Sequence, residues 1–151
     1  MQNFEQVKDV LDYGKLVHAD LCKLYESLNV ESQQERVKML LDYLSRHERH
    51  LEETLSRFEA GSHQDVLDTW LQYAPSINVL KLIGNQTIRP DMSVDEVVKL
   101  AVEFDDALVE FYREAADECG LPRINEVFLN LIELEKQEKI SHVRNALFQD
   151  M

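Results

Sequence analysis

The sequence HADLCKLY at residues 18–25 returns, with its apolar positions in register, as DDALVEFY at residues 105–112. The two stretches are 87 residues apart, and each closes on a tyrosine, Tyr25 in the first and Tyr112 in the second. Self-similarity at a fixed separation indicates a repeated structural unit. The sequence therefore predicts a duplicated helical fold in which a polar residue opens the same turn of each copy.

Four long stretches carry apolar residues at the spacing of an amphipathic helix, and glycine and proline are almost absent from their interiors. The predicted helices cover residues of about 4–28, 32–59, 93–119 and 123–148. Ser32 with Glu35, and Ser93 with Glu96, have the Ser-x-x-Glu spacing of a helix capping box. The links within each pair of helices are short, so we expect each pair to form an antiparallel hairpin.

Residues 61–92 separate the two hairpins and carry breakers at Pro75, Gly84 and Pro90, with a short helix predicted around 66–71. This segment is long enough to cross a bundle. Two helical hairpins joined by one long crossover form the ferritin-like arrangement. We predict an all-α, ferritin-like four-helix bundle that makes a single domain of residues 1–151.

The composition excludes several classes of protein. A formal charge of −13 argues against nucleic acid as a partner and favours cations. No apolar run is long enough to cross a bilayer, and the first residues lack the pattern of a signal peptide, so we expect a cytoplasmic protein. Cys22 and Cys119 are too far apart for a Cys-x-x-Cys pair, which excludes a zinc ribbon or a rubredoxin-type iron centre built from them.

Six ionisable side chains stand where the helices should bury leucine, and burying such groups without a partner is costly. Carboxylates and imidazoles converging from four helices are the ligands of a metal site inside a bundle. They suit one or two Fe, Mn or Zn ions per chain. We predict these six as metal ligands: His18, His47, His50, Asp105, Glu135 and Glu138.

The second and fourth helices match as well as the first and third do. His47-x-x-His50 aligns with Glu135-x-x-Glu138 at a separation of 88 residues. Residues three apart share a helix face, so both members of each pair can point inward. His142, four residues beyond Glu138, is predicted to lie behind the ligands or to replace one of them.

The pattern resembles the rubrerythrin-type members of the ferritin-like superfamily, whose first and third helices often carry an aromatic-Tyr pair, as Leu24-Tyr25 and Phe111-Tyr112 do in part here. Those proteins hold two iron atoms with a Glu on the first and third helices and a Glu-x-x-His on the second and fourth. The matching positions depart from that set at three places: His18 and His47 stand for Glu, and Glu138 stands for His. A neutral imidazole has one free lone pair and cannot bridge two metals as a carboxylate does.

The resemblance implies redox chemistry of iron with dioxygen or peroxide, a separate protein as electron donor, and a homodimer. Two interpretations stay open. One is a di-metal oxidoreductase, and the other is a non-catalytic binding or regulatory module with a structural mono-metal or metal-free polar core.

Individual residues are ambiguous in the same way. Glu48 competes with His47 for the inward direction of the second helix, so His47 and His50 could instead lie on a charged outer face. Tyr25 and Tyr112 are expected in the core, either near the site or with hydroxyls partnered elsewhere.

Overall fold

The computed structural model describes residues 6–71, 75–117 and 121–149, with side chains given for all of these except 140 and 145–149. Six helices follow one another along the chain: α1 Val7–Glu31, α2 Glu35–Gly61, α3 Gln64–Leu67, α4 Val79–Gly84, α5 Val94–Asp117 and α6 Pro122–Gln149. The described residues contain no β-strand beyond a single bridge between Gln6 and Trp70. The predicted all-α fold is confirmed. The predicted start at residue 4 and end at residue 119 lie outside the described residues.

The first hairpin consists of α1 and α2, which pack along their whole length. Near the turn, the Lys38 ammonium donates to the Asn29 carbonyl at 2.6 Å. At the far end, Lys15 forms an ion pair with Glu59 at 2.5 Å. The pairing of late residues of α1 with early residues of α2, and the reverse, shows that the two helices are antiparallel.

The second hairpin consists of α5 and α6 and is built in the same way. The Asn125 side chain donates to the Ala116 carbonyl at 2.9 Å beside the turn. Lys139 reaches Asp106 at 2.8 Å further along. These contacts place the end of α5 beside the start of α6 and the middle of α5 beside a later part of α6, so these two helices are also antiparallel.

Capping differs between the two helices for which the sequence predicts a Ser-x-x-Glu box. Ser93 and Glu96 form the box at the start of α5, where each side chain accepts a hydrogen bond from the other's backbone N–H at 3.2 Å. The prediction for Ser32 is wrong. Its N–H donates to the Leu28 carbonyl as the closing bond of α1, and Gln34 takes the N-cap position of α2. The tight turn needs Ser32 to end one helix, so it cannot begin the next.

The segment between the hairpins contains two short helices, α3 and α4, and the sequence had predicted a helix only near the first. Val79 and Ile83 of α4 are buried against the bundle. The Tyr13 hydroxyl of α1 accepts the Leu80 N–H at 3.1 Å and lies 3.2 Å from the Asn78 side-chain oxygen. This tyrosine attaches the segment to the α1 face of the bundle.

Candidate metal centre

A cluster of six ionisable side chains occupies the middle of the bundle, where the four long helices face one another. Each of them is at most 4% exposed. We call this cluster the polar core: His18 of α1, Glu48 of α2, Asp105 of α5, and Glu135, Glu138 and His142 of α6. On α6 the three members are spaced by three and four residues, which places them on one face of the helix.

His18 lies between two carboxylates. Its Nδ1 is 2.5 Å from Glu48 Oε2 and its Nε2 is 2.8 Å from Glu135 Oε1. Burial alone lowers the pKa of His18, but attraction and hydrogen bonding from Glu135 and Glu48 together raise that pKa well above its ordinary value. His18 is therefore an imidazolium that donates from both ring nitrogens to the carboxylates of α2 and α6.

A second group of ligand atoms converges within the polar core and shares Glu48 with the first. One atom each of Glu48, Asp105 and His142 lies within 4.8 Å of the other two. His142 Nε2 is 3.0 Å from Asp105 Oδ2 and 3.8 Å from Glu138 Oε1. These atoms come from three helices, so the bundle itself holds them together.

Several buried polar atoms of this cluster have no hydrogen-bond partner, although Asp105 and His142 form an ion pair. Among the described residues, one buried carboxylate oxygen each of Glu48, Glu135 and Glu138, and Nδ1 of His142, lack a hydrogen-bond partner. Buried polar atoms are almost always satisfied, and leaving one unpaired costs about 1–3 kcal/mol. Carboxylate oxygens, together with an imidazole nitrogen that gives up its proton to the metal, are the donor set of a divalent cation such as Fe, Mn or Zn.

The pKa shift of Asp105 also favours a bound cation in this cluster. Burial raises the pKa of Asp105 to about 7, and the negative charges of Glu48 and Glu135 add to this rise while His142 opposes it. Burial lowers the pKa of His142, but the nearby Asp105 outweighs that effect and the net shift is upward. Negative charge is thus crowded into a dry space, and a bound cation would relieve it.

The structure brings His18, Asp105, Glu135 and Glu138 together as the sequence analysis expects, but it places the two histidines of α2 elsewhere. His47 is half-buried at the rim, where its Nε2 contacts Glu138. Burial lowers its pKa to about 4, and the positive charge of His142 contributes to the same shift. His50 is exposed, and its ring lies parallel to that of His47 with centroids 6.3 Å apart.

Glu48 takes the inward position because of the rotation of α2. The buried stripe of this helix runs through Leu44, Leu51 and Leu55, and residue 48 lies on that stripe. Position 47 falls at the edge of the stripe and position 50 falls outside it.

Glu48 and His142, which the sequence analysis assigned a lesser role, thus lie at the centre. A signal for Glu48 exists in the repeat. Glu48 and Glu135 are 87 residues apart, the separation of His18 and Asp105, whereas the pairing of His47 with Glu135 needs 88. A single separation applied to all four helices would have selected Glu48.

Two fully buried tyrosines flank the polar core, and neither hydroxyl has a hydrogen-bond partner among the described residues. Burial raises the pKa of Tyr25 well above its usual range, and the charges of Glu48 and Asp105 raise it further. Burial does the same to the pKa of Tyr112, with an added effect of Glu135. The two phenols stay protonated and lie near opposite carboxylates.

Gly14 makes room for the second of these tyrosines. A Cβ at position 14 would lie 2.1 Å from the Tyr112 hydroxyl oxygen and 3.2 Å from Cδ1 of Leu55. The tip of the phenol therefore rests directly on the backbone of α1, which only glycine permits.

Two antiparallel helical hairpins, with ionisable side chains from all four long helices meeting at the centre, define a ferritin-like bundle. A solved structure from Thermotoga maritima, described as a candidate ferritin-like diiron-carboxylate protein, is similar to it with a TM-score of 0.62. The two share 18% sequence identity over 95% of this chain and 96% of that one. This likeness shows the fold.

No family model matches the sequence, and no curated protein matches it significantly. Among the helices of the described residues, none is both long enough and apolar enough to cross a membrane.

Proposed function

We propose that this protein binds a divalent metal, with iron as the leading candidate, in the centre of its bundle and uses it in redox chemistry with dioxygen or peroxide. The observation that carries the proposal is the convergence of buried ligand atoms from Glu48, Asp105 and His142 within 4.8 Å of one another. The description of the Thermotoga maritima structure as a diiron-carboxylate protein supports the choice of iron.

The ligands we assign are Glu48, Asp105 and His142, with Glu138 close enough to join them. They replace part of the set expected from the sequence, because His50 is exposed and His18 is engaged by carboxylates. A bound iron would supply electrons and Lewis acidity. The surrounding apolar side chains exclude water and strengthen every electrostatic interaction in the centre.

A separate protein is proposed as the source of electrons for repeated turnover, on the resemblance alone. A homodimer is proposed on the resemblance alone.

The test is metal binding by the intact chain. The protein is loaded with Fe²⁺ without oxygen, freed of excess metal and analysed for iron, and its absorption is then recorded as air is admitted. We expect bound iron, a higher melting temperature and a new near-ultraviolet band after oxidation. Absence of bound iron at neutral pH, with an unchanged melting temperature, would reject the proposal.

Matched variants locate the site. Glu48→Gln and Asp105→Asn should lose most of the bound iron because each removes a charged ligand. The controls are Glu53→Gln on α2 and Asp106→Asn on α5, which neutralise exposed carboxylates of the same helices. Equal losses in variants and controls would show that the metal lies on the acidic surface.

A second candidate function is a non-catalytic bundle whose polar core is structural. It is favoured by the position of His18, which gives Glu48 and Glu135 a cationic partner within the protein. Such a protein would melt at the same temperature with Fe²⁺ and with a chelator, and air would leave its spectrum unchanged.

A further inference from the structure

The two halves of the polar core differ in their number of possible metal ligands. The internal repeat of the sequence shows this difference. On the Asp105 side, α6 contributes Glu138 and His142, both buried and within 3.8 Å of one another. The corresponding positions of α2, 87 residues earlier, hold Leu51 and Leu55. Both leucines are 1% exposed, so the His18 side carries hydrocarbon where the Asp105 side carries ligands.

Leu55 lies beside α1. Its Cδ1 is 3.2 Å from the place of a Cβ on Gly14, one turn of helix before His18. The apolar side chain therefore packs against the same helix that presents His18, just as His142 packs against the helix that presents Asp105.

His18 cannot compensate for the missing ligands. Both of its ring nitrogens lie within hydrogen-bond distance of carboxylate oxygens, at 2.5 Å and 2.8 Å. To bind a metal, the ring would have to give up one of these bonds and expose a lone pair. The same contacts hold Glu48 by its Oε2 and leave its buried Oε1 without a partner.

We propose that the centre holds one metal per chain, bound on the side of Glu48, Asp105 and His142, and that His18 is a positioning residue occupying the second half of the core. This inference rests on the proposed metal binding and departs from a two-metal centre. His18 orients Glu48 and Glu135 by its two hydrogen bonds and does not itself touch the metal.

The first test is the stoichiometry of the unaltered chain. Saturation with Mn²⁺ or anaerobic Fe²⁺, followed by native mass spectrometry and elemental analysis, should give one metal per chain bound in the bundle. Two metals per chain, both lost in Asp105→Asn or Glu48→Gln, would overturn the inference and leave the proposed function standing. No metal at all would reject both.

The second test asks which imidazole touches the metal. Pulsed electron paramagnetic resonance of the Mn²⁺-loaded protein detects nitrogen bound to the ion. His142→Gln should remove a nitrogen coupling, whereas His18→Gln should leave the couplings unchanged. The affinity of His18→Gln for Mn²⁺ should fall about 10–100-fold, as expected when a residue that orients a ligand is lost.

A loss of nitrogen coupling in His18→Gln would overturn the inference, because it would make His18 a ligand. An unchanged affinity in that variant would equally overturn its positioning role. If His18→Gln does not fold, the stoichiometry of the unaltered chain and the spectrum of His142→Gln still decide the question.

Discussion

The two hairpins have the same helical arrangement around the polar core but place different side chains in it. In the second hairpin, Asp105 forms an ion pair with His142 at 3.0 Å, and Glu138 lies 3.8 Å from the same ring nitrogen. In the first hairpin, His18 donates to carboxylates, and the neighbouring positions hold Leu51 and Leu55. A duplicated fold can therefore keep ionisable groups in both halves while placing a carboxylate and an imidazole from the partner helix in only one of them.

The most direct way to remove this difference is to give the first hairpin a second set of ligands. His18→Glu combined with Leu51→His places a carboxylate and an imidazole on the side that lacks them. Each position is buried on a long helix facing the centre. We expect the capacity of the double variant to rise from one metal per chain to two, measured by native mass spectrometry after anaerobic loading with Fe²⁺.

Leu51→His alone is the control and should still bind one metal. If the double variant folds but binds only one metal, added ligands are not enough to create a second site in the first hairpin. The backbones of the two hairpins would then also differ.

The stability of the metal-free protein also tests the difference between the two hairpins. His18→Leu leaves Glu48 and Glu135 buried without their cationic partner, and removing one member of a buried ionic group costs about 3–5 kcal/mol. We expect a loss of this size in the free energy of unfolding, measured by urea denaturation with a chelator present. His50→Leu changes an exposed histidine and should stay within about 0.5 kcal/mol. Equal effects of the two substitutions would contradict the role given to His18.

Replacement of Asp105 should affect the free energy of unfolding in the opposite direction to replacement of His18. Its folded-state pKa is raised to about 7 from an ordinary value of 3.8. The folded chain therefore holds this proton more tightly than the unfolded chain, so metal-free stability falls as the pH rises between these two values. Asp105→Asn lacks this titration, so its stability should rise relative to that of the unaltered chain as the pH is raised from about 5 to about 8.

This relative gain should shrink as the pH falls toward 5, where Asp105 of the unaltered chain is protonated when folded. Urea denaturation with a chelator at several pH values measures it. Asp106→Asn, at an exposed neighbouring position, should show no such trend. A stability difference that is the same at every pH would contradict the shifted pKa.

Much of the fold could be predicted because it depends on long periodic patterns. The four long helices, their pairing into hairpins and the inward position of His18, Asp105, Glu135 and Glu138 all follow from apolar spacing and the repeat. The short helix α4 escaped prediction, since six residues give no reliable period and its burial depends on contacts with α1 and α5.

The choice between His47 and Glu48 could not be made from spacing on α2 alone. Position 48 lies on the stripe of Leu44, Leu51 and Leu55 and position 47 at its edge, but an ionisable residue fits the edge of an apolar stripe as readily as its centre. The packing of α2 against its neighbours decides which of them turns inward. Likewise, the central place of His142 depends on its proximity to Asp105, 37 residues earlier, which no local pattern reveals.

The contact of Tyr112 with Gly14 fixes the axial alignment of the two hairpins. Gly14 lies four residues before His18, and Tyr112 lies seven residues after Asp105. The phenol fits into α1 only where a side chain is missing, so α5 cannot slip by one turn, about 5.4 Å, along α1 without a collision. The missing side chain at Gly14 thus sets the axial position at which the two halves of the polar core face each other. A methyl group added at Gly14 would collide with the Tyr112 hydroxyl, so that the phenol or the hairpin that carries it has to move while every ligand stays in the sequence.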